Sequence, residues 1–323
     1  MSKYLSDQNQ LCFIYESGTY ANTSGTRQWI GMVQEHTIDE NTNVIPIRYQ
    51  GSTDRNVDVF EDGNLDFTGT FTYYPQDWKF LGMAIGSVSE TASAGSHVFT
   101  ETNSDDTNYA IPGQSLSSFT IEDSKNVGTA GSNFIRTLNG GMVDNMTVTW
   151  VQGEPVNCEV GYMAQNVILT SGAVTSVTPT TTRPYMFSKA TLQIPSGTTI
   201  DNATEFALTI NNNLEGGHYN NGSKYIKESL PINRDYELTA TVKMDSTNAK
   251  TFYEQYYLGG STFNAMVQSI GAGGSLFLVM SGCKLTDMET PSPVEGTHDQ
   301  TLTIVPAHVS ATVEDAIVDY NAW

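Results

Sequence analysis

Five histidines, three cysteines, one aspartate-rich turn and one glycine cluster are the residues that could carry chemistry in this 323-residue chain. His36, His97, His218, His298 and His308 form no H-E-x-x-H, no H-x-H and no Cys/His ligand spacing, so zinc chemistry has no frame here. Cys12, Cys158 and Cys283 are isolated and odd in number, which reads as buried free thiols rather than a disulfide framework. The stretch Asp58 to Asp66 resembles a calcium loop only in passing. Phe60 would fall at the third ligand position and Gly69 would stand where the bidentate Glu belongs, so a hairpin turn explains Asp62-Gly63 better. Gly271-Ala-Gly273-Gly274 lacks the Lys-Ser/Thr of a phosphate loop and reads as a turn before an apolar strand. The carboxylate pairs Glu122-Asp123, Asp105-Asp106 and Glu314-Asp315 are neighbours in sequence, which gives no support to two carboxyls facing across a cleft. No G-x-S-x-G elbow is present. The expectation is a chain with no catalytic residue, no metal site and no cofactor.

Composition points the same way. The formal charge is -20 with a pI near 4.4, from 15 Lys and Arg against 35 Asp and Glu. The nearest approach to a basic cluster is Lys224 with Lys227, too little to neutralise a run of phosphates or to hold an anionic lipid surface. Charged residues make up only 15% and aromatics 10%, with 28 Gly and abundant Thr, Ser and Asn. That combination favours strands and turns over helical bundles. The N-terminus has no apolar signal region and no window approaches a membrane span, so synthesis in a cytoplasm is expected. The N-x-S/T triplets at Asn22, Asn145, Asn202 and Asn221 are what an Asn/Thr-rich chain produces by chance.

The elements that would position any site fall into two similar halves. Residues 170–184, TSGAVTSVTPTTTRP, form a linker. On either side, Leu65 to Tyr73 and Tyr236 to Met244 alternate with period two, and Phe67, Thr68, Thr70 and Phe71 match Leu238, Thr239, Thr241 and Val242 at an offset of 171. Each strand leads into a short helix. Asp77 caps one that carries Trp78, Leu81 and Ile85 and ends at Gly86; Ser246 caps one that carries Ala249, Phe252, Tyr253 and Tyr256 and ends at Gly259-Gly260. Near the end of each half Gly140 pairs with Gly282 and Met146 with Met288, 142 residues apart; with one gap, Gly153 pairs with Gly296 and Ala164 with Ala307. The smaller offset leaves extra residues near 88–118 in the first half, expected as one long exposed loop.

These features bring a family into view. Glu16-Ser-Gly-Thr-Tyr, Trp29-Ile-Gly-Met-Val, Arg48, the strand from Asp62-Gly to Gly69, and Leu81-Gly82-Met-Ala-Ile-Gly86 follow in an order that resembles the start of the larger tail tube proteins of long-tailed phages and tailed archaeal viruses. Leu208-Thr-Ile-Asn-Asn-Asn-Leu-Glu215 resembles their second-domain opening strand. The resemblance implies a mainly β fold with two tandem β-sandwich or half-barrel domains, 1–169 and 185–323, each flanked by one short helix. It further implies homotrimeric, pseudo-sixfold rings stacked into a tube through which double-stranded DNA passes without specific binding. The partners would be further copies of the chain and other tail proteins such as the tape measure, tail terminator and distal tail or baseplate proteins; the place would be the virion, with no membrane. The insert at 88–118 is the candidate for contacts between rings. Because Lys–phosphate contacts would impede sliding, the channel wall is expected to be acidic or neutral, with strands 65–73, 145–151 and 236–243 as wall candidates. The rival reading is a β-sandwich adhesin or carbohydrate-binding module with exposed aromatic platforms; a tail-associated hydrolase would need a site that the sequence lacks.

Overall fold

Threonine, valine and aromatic residues set in period-two alternation, with glycines at the corners, build a protein of strands. The computed structural model describes residues 9–16, 20–21, 25–49, 56–91, 95–101, 116–127, 131–220, 222–245, 248–291, 295 and 297–315. At its centre lies one eight-stranded, fully antiparallel sheet. Its order is Met32–Asn41, Asp66–Tyr74, Asn157–Ala164, the second part of Phe134–Val151, Ala203–Asn211, Asp235–Lys243, Asp299–Val305 and the last part of Gly274–Glu289. The first four strands come from the first half of the chain and the last four from the second. The two halves join edge to edge along 145–151 and 205–211.

Each half adds an outer sheet. In the first half Asn9–Tyr15, Phe119–Lys125, the start of Phe134–Val151 and Asn166–Thr170 pair in that order. In the second half Ala190–Gln193, Phe263–Ile270, the start of Gly274–Glu289 and His308–Asp315 repeat the pattern. The long strands Phe134–Val151 and Gly274–Glu289 therefore belong to two sheets each, and both bend at a glycine: Gly140 has φ 65° and Gly282 has φ 62°. A side chain on Gly140 would be strained by that left-handed φ and would meet the Tyr20 ring at 2.7 Å.

The two halves match pairing by pairing. Asn139↔Asn166 in the first becomes Ser281↔His308 in the second, and Met142↔Met163 becomes Lys284↔Val305, each 142 residues on. Ladder irregularities recur as well, between Val143 and Asn145 and between Leu285 and Asp287. The corner turns recur atom for atom. Asn43 donates from Nδ2 to Asn64 O (3.0 Å) and Asp66 Oδ2 (2.7 Å), as Asn213 does to Asn233 O (3.1 Å) and Asp235 Oδ2 (2.9 Å). Both asparagines have positive φ, 41° and 47°.

Three expectations need correction. Asp66 corresponds to Asp235, so the strand match runs 169 residues apart rather than 171; a two-residue shift leaves every side chain on its own face, and period-two patterning cannot detect it. No gap separates the later pairs either, because Gln165 N–H donates to Asn139 O as Ala307 N–H does to Ser281 O. Ala307 therefore answers to Gln165, and Gly296, the expected counterpart of Gly153, lies outside the described residues. The stretch 88–118 is not one loop. Gly86–Thr91 and Ser96–Glu101 form a hairpin whose second strand pairs with His308–Asp315, so a first-half insertion extends the outer sheet of the second half. Its remaining part, 102–115, lies outside the described residues.

The helices stand where the spacing puts them. Lys79–Ile85 follows Asp77, whose Oδ1 accepts the Lys79 N–H at 3.3 Å, and ends at Gly86 with φ 131°. Phe80 on this helix touches Phe13 of the outer sheet, Phe71 of the central sheet and Phe119, at centroid distances of 4.9, 5.0 and 5.5 Å, and so binds the layers together. The second helix starts as Asn248–Thr251 and widens into a π-helix over Phe252–Leu258, with Gly259 N–H donating to Glu254 O. The wider turn buries Phe252 and Tyr256 and leaves Tyr253, expected on the buried face, exposed beside Tyr257. Ser246, the expected cap, lies outside the described residues.

Candidate assembly interface and channel face

The central sheet has two unlike faces. One transverse row facing the core reads His36, Phe71, Val160, Met146, Ile210 and Tyr236; all but the histidine are buried. The neighbouring row on the solvent face reads Glu35, Thr72, Glu159, Thr147, Thr209 and Glu237. Threonines pair across strands there, with Thr37 and Thr70 hydroxyls 2.8 Å apart and those of Thr147 and Thr209 3.2 Å apart. Among the described residues this face carries two basic side chains, Lys243 and Lys284, and Lys243 is engaged by Asp299 at 2.6 Å. All three strands expected to form a channel wall lie in this sheet.

The sheet has two open edges. Among the described residues Met32–Asn41 pairs only with Asp66–Tyr74, and 284–289 pairs only with Asp299–Val305. Behind the first edge a charge network lies beside the apolar contacts of Val33 and Ile38. Arg136 donates from Nη2 (2.7 Å) and Nε (3.2 Å) to Asp123 Oδ2 and from Nη1 to Glu40 Oε1 (3.2 Å), while His36 Nε2 stands 3.2 Å from Asp123 Oδ1. The edge strand is thus tied to the outer sheet through ions. Burial of Asp123 opposes its ionisation, but the hydrogen bonds from His36 and Arg136 outweigh it and hold the carboxyl below its usual range. A carboxyl lowered on folding contributes stability that is present above its unfolded value near 3.9 and is lost as pH falls through its folded value. Acid unfolding of the native chain should therefore include a component below about pH 4 that Asp123→Asn lacks; equal acid slopes in the two proteins would contradict this.

A second clamp holds the corner glycine. The Glu16 carboxylate accepts from Gly140 N–H (2.7 Å), Thr120 Oγ1 (2.6 Å) and Ala21 N–H (2.7 Å), and Tyr20 Oη donates to Gly140 O (2.9 Å). Burial nonetheless raises the Glu16 pKa above the usual carboxylate range. Both residues lie in the block whose order suggested a family, and their partner sits more than a hundred residues away.

The other candidates for chemistry are spent on structure. His97 and Asp315 form a buried pair at 3.3 Å, His218 reaches Asp66 at 2.8 Å, and His308 reaches Glu101 at 2.9 Å; these pairs do not converge. Glu122 pairs with Arg27 at 2.7 Å, and Asp62 with Lys224 at 2.5 Å. Asp105 and Asp106 lie outside the described residues. All three cysteines are buried and free, and burial pushes the Cys12 thiol up to about 12. The Gly271–Gly274 segment is a hairpin turn closed by Gly271 N–H to Gly274 O. Among the described residues no group of three or more His, Cys, Asp or Glu could hold a metal, and no helix is long and apolar enough to cross a membrane.

A family profile described as phage tail tube protein matches residues 37–314. The chain belongs to this family. It is a structural component of a viral tail, and the mainly β tail tube fold with short helices is what its sequence implies. No curated protein matches the chain. The matched span runs from inside the first edge strand to the end of the second outer sheet, so the family likeness covers both halves.

Proposed function

We propose that copies of this chain close into stacked rings, three to a ring, that form the tail tube and conduct double-stranded DNA during ejection. The observation that carries this reading is the central sheet. It consists of two like four-stranded units joined head to tail, and its two free edges are of the same two kinds that meet inside the chain. An even number of alternating antiparallel strands lets a further copy continue the sheet without reversing direction. Closure of such a series into a ring removes the open edges that would otherwise recruit unwanted strands. In this reading 1–169 and 185–323 act as two tail-tube-like domains, and 170–184 is the connection between them, held by Gln10 and Gln76 through the backbone of Thr175, Thr180 and Thr182. The chain is made in the host cytoplasm and works in the virion.

The threonine and carboxylate face is the wall of the channel. It presents almost no cation to a passing phosphate, so DNA slides without contacts that would have to be broken. Ring-to-ring contact is assigned to the hairpin Ile45–Ile47 with Val59–Glu61 rather than to 88–118. Ile45, Tyr49, Val59 and Phe60 are exposed there, an apolar group at one end of the sheet, which a free surface would not favour. Negative-stain microscopy of the purified chain tests the reading. Rings or hollow tubes with a regular axial repeat are expected; dispersed monomers at every salt concentration would refute it.

A further inference from the structure

The seam inside the chain serves as a template for the seam between copies. Within the chain Asn145 stands opposite Asn211, and Thr147 opposite Thr209. The matched pairings between the halves carry Asn145 and Thr147 onto Asp287 and Glu289, and carry Asn211 and Thr209 onto Asn41 and Asp39. A second copy laid against the open edge in the same register therefore sets Asp287 opposite Asn41 and Glu289 opposite Asp39. All four residues are exposed in the free chain, on the solvent face of the sheet. The neutral threonine pair of the inner seam is replaced by two carboxylates. The outer seam is also shorter. The inner one runs through Val151, whereas Pro291, which has no N–H to give, lies two residues beyond Glu289.

We propose that the Asp39–Glu289 contact makes assembly of this chain salt-dependent, so that the free subunit keeps its edges apart until screening permits the seam to form. The inference rests on the reading of the chain as a tube subunit. Side chains directly opposite on an antiparallel pair have Cβ atoms about 5 Å apart, and like charges there oppose pairing. The screening length is about 10 Å at 0.1 M salt and about 3 Å at 1 M. The repulsion acts at full reach in the first condition and is mostly removed in the second. The occupant is a second copy because the edge continues a seam that already exists within the chain. Charged edge strands are also a common guard against premature pairing.

The test compares the native chain with the double variant Asp39→Thr/Glu289→Thr, which copies the inner seam. Light scattering and negative-stain images are recorded from about 0.05 to 2 M NaCl. The native chain should assemble only towards high salt. The variant should do so at a salt concentration at least about threefold lower. Asn41→Cys/Asp287→Cys tests the register independently: under oxidation, assembled samples should give covalent oligomers, whereas a Thr37→Cys/Asp287→Cys control should not. Tubes with an unchanged salt midpoint, or cross-links in the control pair alone, would overturn the inference while leaving the tube reading intact. A requirement for millimolar magnesium that sodium cannot replace would also overturn it, because screening would not then be the cause. Failure of both proteins to assemble at any salt would overturn the tube reading and the inference with it.

Discussion

Replacing Arg136 with methionine should lower the unfolding free energy by about 3 kcal/mol, because the substitution leaves a buried carboxylate without its main partner. Asp123 has no exposed side-chain surface, and Arg136 supplies two hydrogen bonds to its Oδ2. His36 at 3.2 Å and Lys125 at 3.9 Å remain, but the lysine lies beyond hydrogen-bond reach. The second change Asp123→Leu should recover most of the loss, since an apolar pair of similar volume removes the stranded charge. Urea titration of the two variants measures both effects. A single variant within about 0.5 kcal/mol of native would show that the network contributes little. The variant should also lose its tie to Glu40, and so hold the edge strand less firmly against the outer sheet.

The second large effect is expected at the seam within the chain. Trp150 is fully buried and stacks on Phe206 across the junction, with centroids 4.9 Å apart and planes 20° from parallel. Trp150→Ala should cost about 3–5 kcal/mol, from lost transfer energy and from the cavity left behind. Trp150→Phe keeps an aromatic partner for Phe206 and should cost clearly less. Thermal unfolding of the pair decides. Equal losses in both variants would mean that the ring on Phe206 is not what the junction needs.

The sequence reveals the elements of this fold better than their connections. Alternation in 66–74 and 235–243 is visible because period two is local, and Gly140 and Gly282 are visible because each is a glycine at a matched place. The exact offset is hidden by the same periodicity, which is blind to a shift of two. The hairpin 86–101 was hidden by its polar composition, and its strand character comes from pairing with His308–Asp315, two hundred residues further on. The network behind the edge strand was equally out of reach. Glu122-Asp123 reads as an adjacent carboxylate pair, yet on a strand the two point to opposite faces and find different cations, Arg27 and Arg136. Of the tryptophans within the described residues, Trp78 and Trp150 are core, as their positions within elements suggest, and Trp29 donates from Nε1 to Gln76 at 2.8 Å.

In the tube proposed above, further copies would adjoin both free edges of the central sheet, and its threonine and carboxylate face would line the bore. The exposed hairpin with Ile45 and Phe60 is an apolar surface of different character. In the proposed tube the lateral contacts would be hydrogen-bonded and charged and the axial contacts apolar, so added salt should favour the lateral seam by screening Asp39 from Glu289.

Electron cryomicroscopy of tubes assembled from the purified chain at high salt would show directly which face of the central sheet lines the bore. A continuous barrel is expected in which the central sheet faces the bore, with Thr70, Thr147, Thr209 and Glu237 on its inner wall and strand 32–41 of one copy beside strand 284–289 of the next. A tube whose bore is lined by an outer sheet, or by a ring of lysine and arginine, would contradict it.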